Sequence, residues 1–220
     1  MGRRTLMISF EPSMLKAYFI CGTQDLRPDQ DLVETVQTAL RAGITAYQFR
    51  DKGAGSTLTP ETRLTVAKRL KDLCHLAYVP FIVDDDVDLA KRVHADGIHV
   101  GQSDEGVQSV IAEMGDQAFI GLSCSNETEI KAANAIEGIA YYGSGPVFPT
   151  GSKADADPVI GLAGLQHLVE LATRPVVGIG GITVDQLPAV IQTGAAGSSV
   201  ISMIAGSSDI GGVVKAMKEA

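Results

Sequence analysis

From Tyr18 onward, short apolar runs alternate with longer amphipathic ones to the end of the chain. Tyr18 to Cys21 has the length of a buried strand, and in the following run, Asp31 to Ala42, Leu32, Val33, Val36, Ala39 and Leu40 share one helical face. Gly43 then closes that helix. The same pairing repeats as strand Thr45 to Phe49 with a helix from Pro60 to about Leu76, and strand Phe81 to Val83 with Val87 to His94. Gly97 to Val100 pairs with Val107 to Met114, and Ala118 to Leu122 with Glu127 to Ala135. Ile139 to Tyr142 opens into the longest loop, Gly143 to Pro158, before a helix at Leu162 to Ala172. Pro175 to Gly178 is followed by Val184 to Thr193, and Gly197 to Ile201 by Ile210 to Glu219.

Eight such pairs in order predict an α/β protein, a single-domain (β/α)8 TIM barrel over residues 1–220 with a short N-terminal extension to about residue 15. In such a barrel the loops after the strands form the active face. Gln48, Arg50, Lys52, Asp84, Asp85, Asp104, Ser123, Thr150, Lys153, Gly181 and Ser202 all fall at that position.

Composition narrows the chemistry. A chain of 220 residues, 45% hydrophobic, can bury one large core, while a net charge of -8 argues against nucleic-acid and anionic-membrane partners. Any phosphate site must be local. Three scattered cysteines, Cys21, Cys74 and Cys124, indicate neither a disulfide framework nor a zinc cluster and fit a reducing compartment. No run has signal-peptide or membrane-span length, so the expected location is cytoplasmic, with a homo-oligomer left open.

Asp84 and Asp85 end one strand and Asp104 follows the next, so their carboxylates are expected on one rim, where hard oxygen donors suit Mg2+ shared with a substrate phosphate. The plain alternative is helix capping, which accounts for Asp86 but not for the whole group. Arg50 and Lys52 stand at alternate positions and could clamp a pyrophosphate or simply form a solvated pair with Asp51. Gly178-Ile-Gly-Gly-Ile182 and Gly197 to Ser202 read as a barrel phosphate cradle, against the plainer reading of tight turns. Ser123 lacks a triad histidine in a plausible order and is expected to hydrogen-bond rather than attack. His99 reads as a satisfied strand histidine within reach of a ligand, and Cys124 as a packing residue.

Five segments together resemble the thiamine-phosphate synthase family: Tyr47 to Gly53, Phe81 to Ala90, Ala95 to Gln102 with Asp104, Gly143 to Thr150, and Val177 to Ile182. The resemblance implies a barrel enzyme that joins a pyrimidine methyl diphosphate to a thiazole phosphate, or its carboxylated form, and releases pyrophosphate with Mg2+ through a dissociative, carbocation-like substitution. Carried over by position, Gln48, Phe49, Arg50, Asp51, Lys52, Asp84, Ser123 and Lys153 would bind the pyrimidine diphosphate. Arg50, Lys52, Ser123 and Lys153 would be catalytic, and Asp85 and Asp104 would ligate Mg2+. Thr150, Gly151, Ser152, Gly181, Ile201 and Ser202 would face the thiazole phosphate. The chain departs from the family's pattern at Asp84, where the family usually has Asn, and at Cys124-Ser125-Asn126, where the family often carries a His. Rival readings are a thiazole tautomerase of the same fold, which would need no diphosphate clamp, a phosphate-sugar isomerase barrel, whose deep acid and lysine pair is not found, and a non-catalytic phosphate-ligand sensor.

Overall fold

Strands buried on both sides read as unbroken apolar runs, and a ring of them closes only when each is returned to the same end by a crossover helix. The computed structural model, which describes residues 7–53, 55–102, 106–151 and 158–220, has this arrangement. The strands are β1 (Ala17–Cys21), β2 (Ala46–Phe49), β3 (Phe81–Asp84), β4 (Gly97–Val100), β5 (Phe119–Ser123), β6 (Ile139–Ser144), β7 (Val176–Ile179) and β8 (Gly197–Val200). All pair in parallel in sequence order, and β8 pairs with β1 to close the barrel.

Around it run α1 (Leu32–Ala42), α2 (Pro60–Leu76), α3 (Val87–Val93), α4 (Val107–Met114), α5 (Glu127–Asn134), α6 (Gly161–Leu171), α7 (Leu187–Gln192), α8 (Ser202–Ala205) and α9 (Ile210–Glu219). Their ends follow local chemistry. Asp31, Asp86 and Asn126 accept from backbone N–H groups at the starts of α1, α3 and α5, and Gly43 ends α1 with φ +92°. The short α8 carries no sequence signal of its own.

Two apolar layers result. Phe19, Tyr47, Phe49, Phe81 and Leu122 face outward against the helices, whereas Tyr18, Ile20, Ala46, Ile82, Tyr141 and Val177 fill the barrel interior. Strand parity sets which is which, with one exception. The β5–β6 register shifts at Ile120/Gly121, a bulge-like irregularity, so Ala140 and Tyr141 both join the interior while Ile139 and Tyr142 face the helices. The N-terminal segment caps the opposite end of the barrel from the strand-following loops: Phe10 stacks on Tyr141, ring centroids 5.6 Å apart, and packs on Phe119.

Candidate active site

The C-terminal ends of the strands surround a cleft of about 330 Å3. Arg50 and Lys52 after β2, Asp84 and Asp85 at the end of β3, His99 on β4, Ser123 on β5, Thr150 after β6, Gly180 and Gly181 after β7, and Ile201 and Ser202 after β8 all line it. The sequence separates the first and last of these by more than half the chain, and the barrel brings them to one mouth.

One wall carries the charge. The buried Asp84 Oδ2 lies 3.0 Å from Lys52 Nζ and 3.4 Å from Arg50 Nε, and Lys52 also bonds Asp85. Asp84 Oδ2 and Arg50 Nε sit within ion-pair distance yet make no properly directed hydrogen bond, so each retains unspent capacity. Burial alone would pull the Lys52 ammonium down, but Asp84 and Asp85 outweigh it and hold the group above its ordinary range. Asp85 adopts φ +58°, a left-handed backbone costing a non-glycine residue of order 1 kcal/mol, with its N–H fixed by the His99 carbonyl at 2.9 Å. That turn swings the Asp85 carboxylate back beside Lys52.

The far wall is built from backbone. Gly180 and Gly181 have φ +96° and +63°, and a Cβ on Gly181 would lie 2.4 Å from the Pro149 carbonyl oxygen. Only glycine fits there, and the result is a close-packed loop whose amides border the cleft beside Ser202.

Other expected site residues lie elsewhere. Phe49 is fully buried in the outer layer, stacked near Phe81 and under the Arg63 guanidinium at 5.9 Å, so it does not reach the cleft. Asp51 is also turned away: its carboxylate accepts from Thr23 N at 2.8 Å, Thr23 Oγ1 at 2.5 Å and Ser56 Oγ at 2.5 Å, tying the loop after β2 to the loop after β1. Strand parity explains both, because Gln48 and Arg50 take the inward positions and leave the outward ones to Phe49 and Asp51. Gln48 lies inside the barrel beneath the cleft, donating to the Tyr18 hydroxyl at 2.6 Å. Gly151 is exposed beside Thr150 and does not line the cleft. Asp104, Ser152 and Lys153 lie outside the described residues.

Several cleft residues were not singled out as site residues from the sequence: Gln102, whose Nε2 donates to the Ser123 carbonyl at 2.7 Å, and Glu129, which accepts from Ser125 N at 2.6 Å. His99, which the sequence presents as a satisfied strand histidine within reach of a ligand, lines the cleft and lies 3.0 Å from Ser123 Oγ. Burial pushes the Cys124 thiol up to about 12, with Glu129 adding to it, which suits a packing role.

Among the described residues, no group of three or more His, Cys, Asp or Glu is placed to hold a metal alone. The donor set still fits Mg2+, which usually takes one or two carboxylates and completes its shell with substrate phosphate and water. Asp85 and the incompletely bonded Asp84 supply such oxygens next to the cations.

The comparisons with known proteins identify the family. The family model described as thiamine monophosphate synthase matches residues 17–204. A thiamine-phosphate synthase of Lactiplantibacillus plantarum is 59% identical over 96% of this chain and 97% of its own, and one from Listeria monocytogenes is 46% identical over 93% and 95%. A solved thiamine phosphate pyrophosphorylase from Pyrococcus furiosus superposes with a TM-score of 0.82 at 36% identity, covering 94% of this chain and 96% of the other. A 3-hexulose-6-phosphate synthase, at 19% identity and a TM-score of 0.64, shares the fold alone. Matched from β1 into α8 by the family model and over nearly its full length by these relatives, the chain belongs to the thiamine monophosphate synthase family.

Proposed function

We propose that the cleft makes thiamine phosphate, joining 4-amino-2-methyl-5-(diphosphooxymethyl)pyrimidine to 4-methyl-5-(2-phosphoethyl)thiazole, or its carboxylated form, and releasing pyrophosphate in a Mg2+-dependent reaction. One observation carries this reading. Two cations, Arg50 and Lys52, meet two carboxylates, Asp84 and Asp85, on one wall, while the glycine loop at Gly180 and Gly181 borders the same space opposite. A tautomerase or a sensor of one phosphate would have no use for the charged wall.

The bond between the pyrimidine methylene carbon and the diphosphate oxygen breaks with its electron pair leaving on oxygen. The aminopyrimidine ring disperses the positive charge left on carbon, and the thiazole nitrogen lone pair then forms the new C–N bond. No protein nucleophile enters this scheme, in keeping with the thiol of Cys124 staying protonated and Ser123 having no triad. Arg50 and Lys52 stabilise the charge growing on the departing oxygens, the task fixed cations do best in a site closed to bulk water. Asp85, with Asp84 and, on the sequence reading, Asp104, would hold Mg2+, which when bound neutralises diphosphate charge. Lys153, placed by the sequence in the loop after β6, is proposed to add a further cation to the leaving group. The two walls hold the substrates side by side, which replaces a bimolecular encounter with an oriented one.

The test is direct. Purified protein is incubated with both substrates, with Mg2+ or with a chelator, and pyrophosphate and joined product are followed. Equal amounts of both, only with Mg2+, are expected; product with neither metal nor the charged wall required would sink the proposal.

A further inference from the structure

Beneath the cleft, side chains from five strands form an unbroken polar chain through the barrel interior. Gln48 Nε2 donates to the Tyr18 hydroxyl at 2.6 Å, and the Tyr18 and Tyr141 hydroxyls are 2.9 Å apart. Tyr141 lies 3.1 Å from His99 Nδ1, and His99 Nε2 lies 3.0 Å from Ser123 Oγ. Gln48, Tyr18 and Tyr141 are 2%, 1% and 0% exposed. The backbone makes room for the middle of the chain, since a Cβ on Gly121 would lie 2.5 Å from His99 Nδ1 and 2.3 Å from Tyr141 Cζ.

Proton counting gives this ladder a direction. Tyr18 oxygen receives the Gln48 amide proton, and the Tyr18 proton has Tyr141 oxygen as its neighbour. The Tyr141 proton then goes to His99 Nδ1. With Nδ1 accepting, the ring proton belongs on Nε2, which gives that bond to Ser123 Oγ. Ser123 Oγ is thereby an acceptor from below, and its proton is left for the cleft that the side chain lines. The reverse direction, with the Gln48 amide turned over, would send the Ser123 proton down to His99 and leave only a lone pair facing the cleft. With the Gln48 Nε2 placed as donor to Tyr18, that direction would strand the Tyr18 proton in a dry interior, which is costly. Burial pushes both phenols well above the ordinary tyrosine range, so neither loses the proton being counted.

We infer that Gln48, Tyr18, Tyr141 and His99 are positioning residues whose fixed hydrogen-bond direction presents Ser123 to the leaving diphosphate as a donor. The identity of the acceptor rests on the proposed function; the direction of the ladder does not. A donor aimed at developing negative charge aids departure, whereas a bare lone pair would oppose it.

The experiment reads the imidazole directly. Protein labelled with 15N-histidine is examined by NMR at neutral pH without substrates, and the His99 signals are assigned by their loss in His99→Gln. A neutral ring protonated on Nε2 alone is expected; a ring protonated on Nδ1, alone or with Nε2, overturns the inference. In Tyr141→Phe the Nε2 preference is expected to relax toward a mixture of tautomers, and kcat to fall roughly tenfold, less than the roughly hundredfold expected for losing a whole charge-stabilising donor. Ser123→Ala added to Tyr141→Phe should cost less than Ser123→Ala alone, because the two act through one group. An unchanged tautomer in Tyr141→Phe, or a full additional loss from Ser123→Ala, overturns the ladder's role. Should Tyr141→Phe not fold, the wild-type tautomer decides alone. Failure of the wild type to form joined product would sink the proposed function and leave the tautomer result standing by itself.

Discussion

Each end of the barrel buries an aspartate, and the two are held in opposite ways. Asp96, at the N-terminal end, is fully buried and saturated: it accepts from Phe81 N at 2.9 Å, Ile8 N at 2.8 Å and His75 Nε2 at 2.8 Å. Those donors come from β3, the N-terminal segment and α2, so one carboxylate ties three parts of the chain together under the Phe10 plug. Asp84, at the mouth, is nearly as buried yet has an oxygen without a directed hydrogen bond, facing two cations. A saturated buried carboxylate is a structural tie, whereas one left short of partners is poised for a ligand to complete it. Stability is thereby invested at the closed end and reactivity at the open one.

Substitutions at the two ends should separate these roles. The largest effect expected is on turnover: Asp85→Ala should cost about 100-fold or more in Mg2+-dependent kcat, the scale of losing a principal charge-stabilising group, with an unchanged melting temperature. Steady-state kinetics and thermal denaturation on one preparation check both halves, and near-normal turnover would remove Asp85 from the site. At the other end, Asp96→Asn leaves one acceptor oxygen for several donors and should destabilise by about 3 kcal/mol, lowering Tm by roughly 6–12 °C in a domain of this size. Activity per folded molecule should be intact, and calorimetry with a normalised assay would show otherwise if Asp96 served catalysis.

A smaller effect is expected where the ends differ in charge balance. Asp84→Asn removes a charge that is proposed to help hold Mg2+ and that pairs with Arg50 and Lys52, and should raise KM for the pyrimidine substrate several-fold, about 1 kcal/mol for a screened contact at the cleft. A fall in KM would mean that Asp84 repels the anion more than it contributes to holding the metal. The smallest effect concerns Cys124, which should resist alkylation near neutral pH. Its thiol stays protonated until the pH approaches about 12, so the reactive thiolate fraction grows only as pH climbs that far, and a mass-spectrometric rate profile rising near pH 8 would contradict this.

Much of the architecture was legible in the chain. Gly97–Val100, Val107–Met114, Pro60–Leu76 and Ile210–Glu219 lie where apolar periodicity and the Pro60 start place them. The charged wall was legible too, because Arg50, Lys52, Asp84 and Asp85 immediately follow or end strands. What could not be read depends on register. Tyr18 and Tyr141 are 123 residues apart, and their contact requires both barrel closure and the bulge that turns Tyr141 inward. Phe10 belongs to no periodic run, so its place under the barrel had no local signal. Phe49 and Asp51 were assigned by similarity of a whole segment, and the period of two in β2 turns them away from the cleft.

The central claim, that the open end receives a diphosphate between its cations and its incompletely bonded acids, is tested most directly by a crystal structure with pyrophosphate and Mg2+. The account predicts the anion against Arg50 and Lys52 with the cation on Asp85. Pyrophosphate bound away from this wall, or a cation that leaves Asp85 untouched, would contradict it.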